Sequence, residues 1–236
     1  MKIRVKFSKH GVLKFIGHLD VMRYFQKAIR RAEIDVAYST GFSPHQIMSF
    51  AAPLGVGLES NGEYMDLEVN SLTSSQDFID ALNAQMAEGI QILEAKLLPE
   101  KAGNAMASVA AAKYTVRFRD GMRPTDQVFS SIADFYAQDE IIVTKKTKKN
   151  EATFDMKPYL FSLEKKEDEE HAVSMLVDAS SAGNIKPGLV MQTLYQFCGL
   201  ELDEFALLIT REETYTNIGT EEEKKFVSLG AVGEDY

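Results

Sequence analysis

The chain has 236 residues, 45% hydrophobic and 26% charged, an ordinary globular composition with enough length for two modest cores. Its longest uncharged apolar run, Ile47 to Leu58, is interrupted by glycines and a proline and falls short of the roughly 20 residues of a membrane helix, so a soluble protein with no membrane partner is expected. Net charge is −9, and Cys198 is the single cysteine, which rules out an internal disulfide and a cluster held by this chain's own thiolates and points to a reducing, cytoplasmic setting.

In chain order, Ile3, Val5 and Phe7 alternate with Lys2, Arg4 and Lys6, the period of a strand with one buried and one basic face. The opening Met-Lys-Ile-Arg-Val-Lys-Phe also lacks the hydrophobic block of a secretory signal. From Gly17 to Ala32, Val21, Met22, Phe25, Ala28, Ile29 and Ala32 recur at helical spacing, while Asp20, Arg23, Lys27, Arg30 and Arg31 share the other face. A short strand at Asp35 to Ser39, a loop at Thr40 to His45 and an extended segment at Ile47 to Leu54 follow. Tyr64 to Val69 alternates again. Ser74 or Ser75 caps a helix through Ala87, and a strand is predicted near Ile90 to Leu98.

After an alanine-rich stretch the same order recurs: a strand at Tyr114 to Arg119, a helix at Thr125 to Ala137, a hairpin at Ile141 to Lys146 and Ala152 to Met156, a strand at Ala172 to Asp178, a helix from Pro187 to Phe197 and a closing strand at Phe205 to Thr210. Short connections and right-handed crossovers then favour an α+β protein of two tandem ferredoxin-like (βαββαβ) domains with mainly antiparallel sheets, helices on one face and the other face available. The expected divisions are 1–98, a linker at 99–112, 113–216, and a mobile tail at 217–236 where glycines and charge runs show no sustained period.

Charge is uneven. Residues 1–50 hold nine Lys or Arg against three acids, net +6, and the remainder holds 17 against 32, net −15. Any polyanion is therefore expected to meet the first fifty residues, where Lys9, Lys14, Arg23, Lys27 and Arg30 focus positive potential. His10, His18 and His45 also fall there with Asp20, but no HxH, HExxH or CxxC spacing aligns them as metal ligands. His18 and Asp20 open the first helix, where an acid favours the positive end of the dipole without any function. The loop from Tyr38 to His45, with Ser43, has the composition of a binding loop or of a tight turn using Gly41. Lys145, Lys146, Lys148 and Lys149 crowd the second hairpin, able to grip phosphates or simply to blunt a strand edge. Walker, GxGxxG and GxSxG motifs are missing from the sequence, and no cofactor or metal is indicated.

The runs Phe15-Ile16-Gly17-His18-Leu19-Asp20, Arg30-Arg31-Ala32, Tyr38-Ser39-Thr40-Gly41-Phe42-Ser43-Pro44-His45, Ser49-Phe50-Ala51 and Pro53-Leu54-Gly55-Val56-Gly57, through to Glu63-Tyr64, resemble an uncharacterised bacterial family, the radical-SAM-linked proteins. Its members look like domains fused to, or encoded beside, B12-binding-type radical SAM proteins. The resemblance implies a stand-alone accessory or substrate-presenting module whose cluster-bearing radical SAM enzyme is a separate partner. It transfers no catalytic residues. A likeness of architecture alone extends to CRISPR repeat-processing endoribonucleases, although Ser181-Ala182-Gly183-Asn184 is much sparser than their glycine-rich loop. The expected ligand is RNA or another phosphate-rich substrate, met by His18, Asp20, Arg23, Lys27, Arg30, Ser43 and His45. Two rivals stay open: a metal-independent ribonuclease using His18 or His45 as acid or base, and a protein–protein scaffold.

Overall fold

The computed structural model describes residues 1–146, 151–169, 171–203 and 205–236. They form two compact units, 1–110 with 211–236 and 111–210. The class is α+β with mostly antiparallel sheets, as the alternation of strand and helix periods predicts.

The first unit contains β1 (Lys2–Lys9), α1 (His18–Arg31), β2 (Met48–Phe50), β3 (Glu59–Glu68), α2 (Ser75–Asn83), β4 (Ile90–Leu97) and a single turn, α3 (Ala105–Ser108). Its strands lie in the order β4-β1-β3, with β2 also pairing β3. The helix at 18–31 forms where the apolar 3.6-residue period predicts it, burying Val21, Phe25, Ala28 and Ile29. They pack with Phe78 and Leu82 of α2 against Ile3, Val5, Phe7, Met65 and Leu67, a continuous apolar core on one sheet face. Ser74 caps α2 by accepting from the Asp77 N–H.

The opposite face of β1 is closed rather than free. Arg4 is 1% exposed; its Nε and Nη2 donate to Asp66 at 2.8 and 3.1 Å, and Nη1 and Nη2 donate to the carbonyls of Leu229 and Gly103. Asp66 also accepts from the Ala105 N–H. The alternation of β1 is legible in the sequence, but the partners a buried guanidinium requires, supplied by α3 and residues near 229, are not.

Those residues belong to the stretch expected as a mobile tail. Instead, β11 (Phe226–Ser228) pairs β10 (Leu207–Asn217), a 3₁₀ turn covers Leu229–Val232, and Leu229 is fully buried. The chain then runs back along β4, with Leu97 and Glu234 exchanging both backbone hydrogen bonds and Lys96 pairing with Asp235.

The second unit holds β5 (Ala111–Phe118), α4 (Asp126–Ser130), α5 (Ile132–Tyr136), β6 (Ile142–Lys146), β7 (Glu151–Asp155), β8 (Leu160–Lys165), β9 (Val173–Asp178) and α6 (Pro187–Phe197). Strands run β10-β5-β9-β8, and β6 and β7 form a separate two-stranded sheet. The helix expected over 125–137 divides at Ser131, and β8 lies where the sequence predicts no strand. β10 gives its residues through Thr210 to this unit and those from Arg211 onward to the first.

Candidate functional site

Folding redistributes the positive charge of the first fifty residues. Lys2 and Arg4 face Asp66, Lys6 reaches Glu213 at 2.7 Å and Glu94 at 3.5 Å, and Lys14 donates to Glu59 at 3.1 Å. Burial alone would lower the Lys6 pKa, but the hydrogen bonds and negative charges of Glu213 and Glu94 together outweigh it and the pKa rises. Conversely, burial would raise Glu59, yet Lys14 holds its carboxyl below the usual range. These cations are neutralised within the unit.

What stays in solvent is the outer face of α1. Arg23, Lys27 and Arg30 are exposed, spaced so that they share one stripe. Asp20 sits one turn before Arg23, 3.5 Å from its guanidinium, a solvent-exposed pair of little energetic weight. Among the described residues Lys27 and Arg30 have no ion-pair partner, whereas Arg31 is bonded to the side chain and carbonyl of Gln85.

The candidate residues of the loop form a local turn. Ser39 Oγ lies 2.8 Å from His45 Nδ1 and accepts from the His45 N–H at 3.1 Å, the Ser39 N–H donates to the His45 carbonyl, and the Ser43 carbonyl is 3.4 Å from the ring. Gly41 takes φ 115°, the left-handed region that glycine enters freely. Phe42 projects fully into solvent at the tip, and Ser43 and His45 are exposed.

His18 is elsewhere engaged: its ring meets Phe50 edge-on at 5.1 Å. His10 lies 2.9 Å from Asn61 and 3.5 Å from Glu59. The three early histidines thus have different neighbours, and among the described residues no three His, Cys, Asp or Glu side chains gather as a metal-ligand group. The side chains of Lys145 and Lys146, with residues 147–150, lie outside the described residues.

A second cluster sits on the core side of β1. Lys9, 2% exposed, lines a small cavity with His18, Glu63, Phe50, Pro53 and Leu54. Glu63 is itself buried and accepts from Arg211 Nη1 at 2.8 Å, as does the Ala52 carbonyl. Desolvation lowers the Lys9 pKa, Glu63 opposes that shift and Arg211 adds to it. Neither Glu63 nor Arg211 stands out in the sequence. Lys9 does carry a signal, since it continues the odd-numbered series Ile3, Val5, Phe7 that the sheet buries.

Residues 2–187 match the family described as an uncharacterized protein conserved in bacteria (DUF2344), and the chain belongs to that family. Comparison with curated proteins finds no match. Among solved structures the chain is similar to one chain of a Cbf5-Nop10-Gar1 complex, at 11% identity and a TM-score of 0.49, over 90% of this chain and 48% of that one. It therefore spans about half of that neighbour's length. Among the described residues no helix is long and apolar enough to cross a membrane.

Proposed function

We propose that this protein is a non-catalytic accessory module that holds a phosphate-rich ligand, structured RNA in the first instance, on α1 for a separate radical SAM enzyme. The observation carrying the reading is the exposed stripe Arg23, Lys27 and Arg30, whose one ion pair among the described residues is that of Arg23 with Asp20, after most other cations of the first fifty residues have been paired or buried. Guanidinium and ammonium groups on one helix face suit successive phosphates and release counterions when they bind them. The family resemblance in residues 15–64 supplies the partner class. His18 and Asp20 at the start of α1, and Ser43 and His45 in the 38–45 loop, are then edge contacts in the same proposal, and Lys145 and Lys146 a further phosphate grip.

Binding of structured RNA, followed against salt, tests it. Replacing Arg23 and Arg30 together by Ala is expected to weaken binding and to reduce the slope of log affinity against log salt by roughly 1 to 2. Unchanged affinity and slope would remove α1 from the interface. Cleavage of the RNA that vanishes in both H18A and H45A would instead establish the ribonuclease reading, and recovery of a radical SAM protein on tagged wild-type chain supports the partner.

A further inference from the structure

We propose that the cavity beneath the first turn of α1 binds the carboxylate of a small organic acid, with the Lys9 ammonium as its counterion and the His18 imidazole as a second donor. The starting observation is an ionisable group out of place. Lys9 is 2% exposed at the end of β1, and among the described residues its amine has no hydrogen-bond or ion-pair partner within contact distance. The acid whose charge acts on it, Glu63, lines the same cavity and already accepts from Arg211 at 2.8 Å. A buried ammonium lacking its own counterion is costly to keep, and an incoming anion is what repays that cost.

The surroundings select the kind of anion. The cavity measures about 10 Å³, room for roughly one water-sized group, so a single anion oxygen enters, and a planar carboxylate behind it crowds the walls less than a tetrahedral phosphate would. Phe50, Pro53 and Leu54 make most of those walls apolar, Glu63 being the one acid among the lining residues and already paired with Arg211, and the half-buried His18 brings an imidazole to the same space against Phe50. Close in sequence to the lining residues His18 and Leu54, the side chains of Phe15, Leu19 and Val56 are exposed and apolar. Leu19 adjoins His18, and the Gly57 N–H donates to the Lys14 carbonyl at 2.8 Å, which holds the loop carrying Val56 beside the Lys14–Phe15 segment. A short alkyl chain attached to the carboxylate has apolar surface on which to rest.

This site shares His18 with the edge contacts proposed for RNA but none of Arg23, Lys27 and Arg30, and it does not rest on the RNA reading. The test titrates the full chain with acetate, butyrate and inorganic phosphate in an oxyanion-free buffer, following amide and His18 ring resonances by NMR. Saturable shifts around Lys9 and His18 are expected with both acids, with butyrate binding more tightly than acetate. Lys9→Met should weaken butyrate at least about tenfold, while the R23A/R30A protein binds it as the wild type does. Lys9→Gln serves as a second variant, with a native spectrum required of whichever is used. Absence of saturable shifts, equal butyrate affinity in the Lys9 variants, or tighter binding of phosphate than of butyrate would each overturn the assignment.

Discussion

At the scale of single residues, Lys9 shows how a strand pattern can be read one step too short. Ile3, Val5 and Phe7 mark the buried face, and the next odd position belongs to it even though its side chain carries a charge. Composition alone makes Lys9 a surface cation. Burying it beside His18 from α1, Glu63 from β3 and Arg211 from β10 depends on pairings between distant segments, for which the sequence offers no spacing signal. A stability consequence follows from the direction of its pKa shift. Because desolvation depresses the folded-state pKa, the unfolded chain binds more protons between that depressed value and the ordinary 10.5. Stability from this group therefore rises with pH across that window, and below the depressed value the full cost of burying the charge is present. Urea unfolding of wild type and Lys9→Met at several alkaline pH values, in the absence of organic acids, should show any advantage of the variant shrinking toward pH 10.5. A difference that stays flat with pH would mean that Lys9 titrates alike in both states.

Among elements, α1 is the most legible because both of its faces are strongly patterned: the predicted span Gly17 to Ala32 exceeds the observed helix by one residue at each end. β8 escapes a sequence reading for a physical reason. Its register shifts between Leu160 and Ser162, and its buried positions Leu160 and Leu163 are three apart, so no clean alternation survives in the sequence. The pairing of β3 with β10 is equally invisible there, yet it makes a sharp demand at one position. A Cβ at Gly62 would lie 2.6 Å from Glu213 Cα and 2.9 Å from the Glu212 carbonyl oxygen. Those are backbone atoms that cannot swing aside, and the neighbouring Thr214 hydroxyl donates to the Gly62 carbonyl at 2.8 Å. Gly62→Ala is expected to cost about 1–3 kcal/mol through forced separation of the strands, read as a lower urea midpoint. An unchanged midpoint would show that β10 stands further from β3 than these distances require.

For the molecule as a whole, the largest departure from the sequence reading concerns the last twenty residues. Glycines and mixed charges hide their role because the segment is not periodic in itself; its order comes from partners distant in sequence. Leu229 is fully buried and its carbonyl accepts from Arg4, Glu234 and Leu97 exchange backbone bonds, and the Tyr236 N–H donates to Ser75 Oγ. Gly230 and Gly233 belong to the same seam, since a Cβ at either would come within 2.8 Å of Glu94 or of the Leu97 backbone. Removing residues 218–236 should therefore destabilise the first unit: Arg4 loses an acceptor while remaining beside Asp66, and the edge of β4 opens to water. Hydrogen exchange supplies the measurement, with the Leu97 amide, bonded to Glu234 at 2.8 Å, exchanging much faster in the shortened chain and the first unit unfolding at lower urea. If the shortened chain keeps both its urea midpoint and slow exchange at Leu97, the closing segment is not a structural part of that unit.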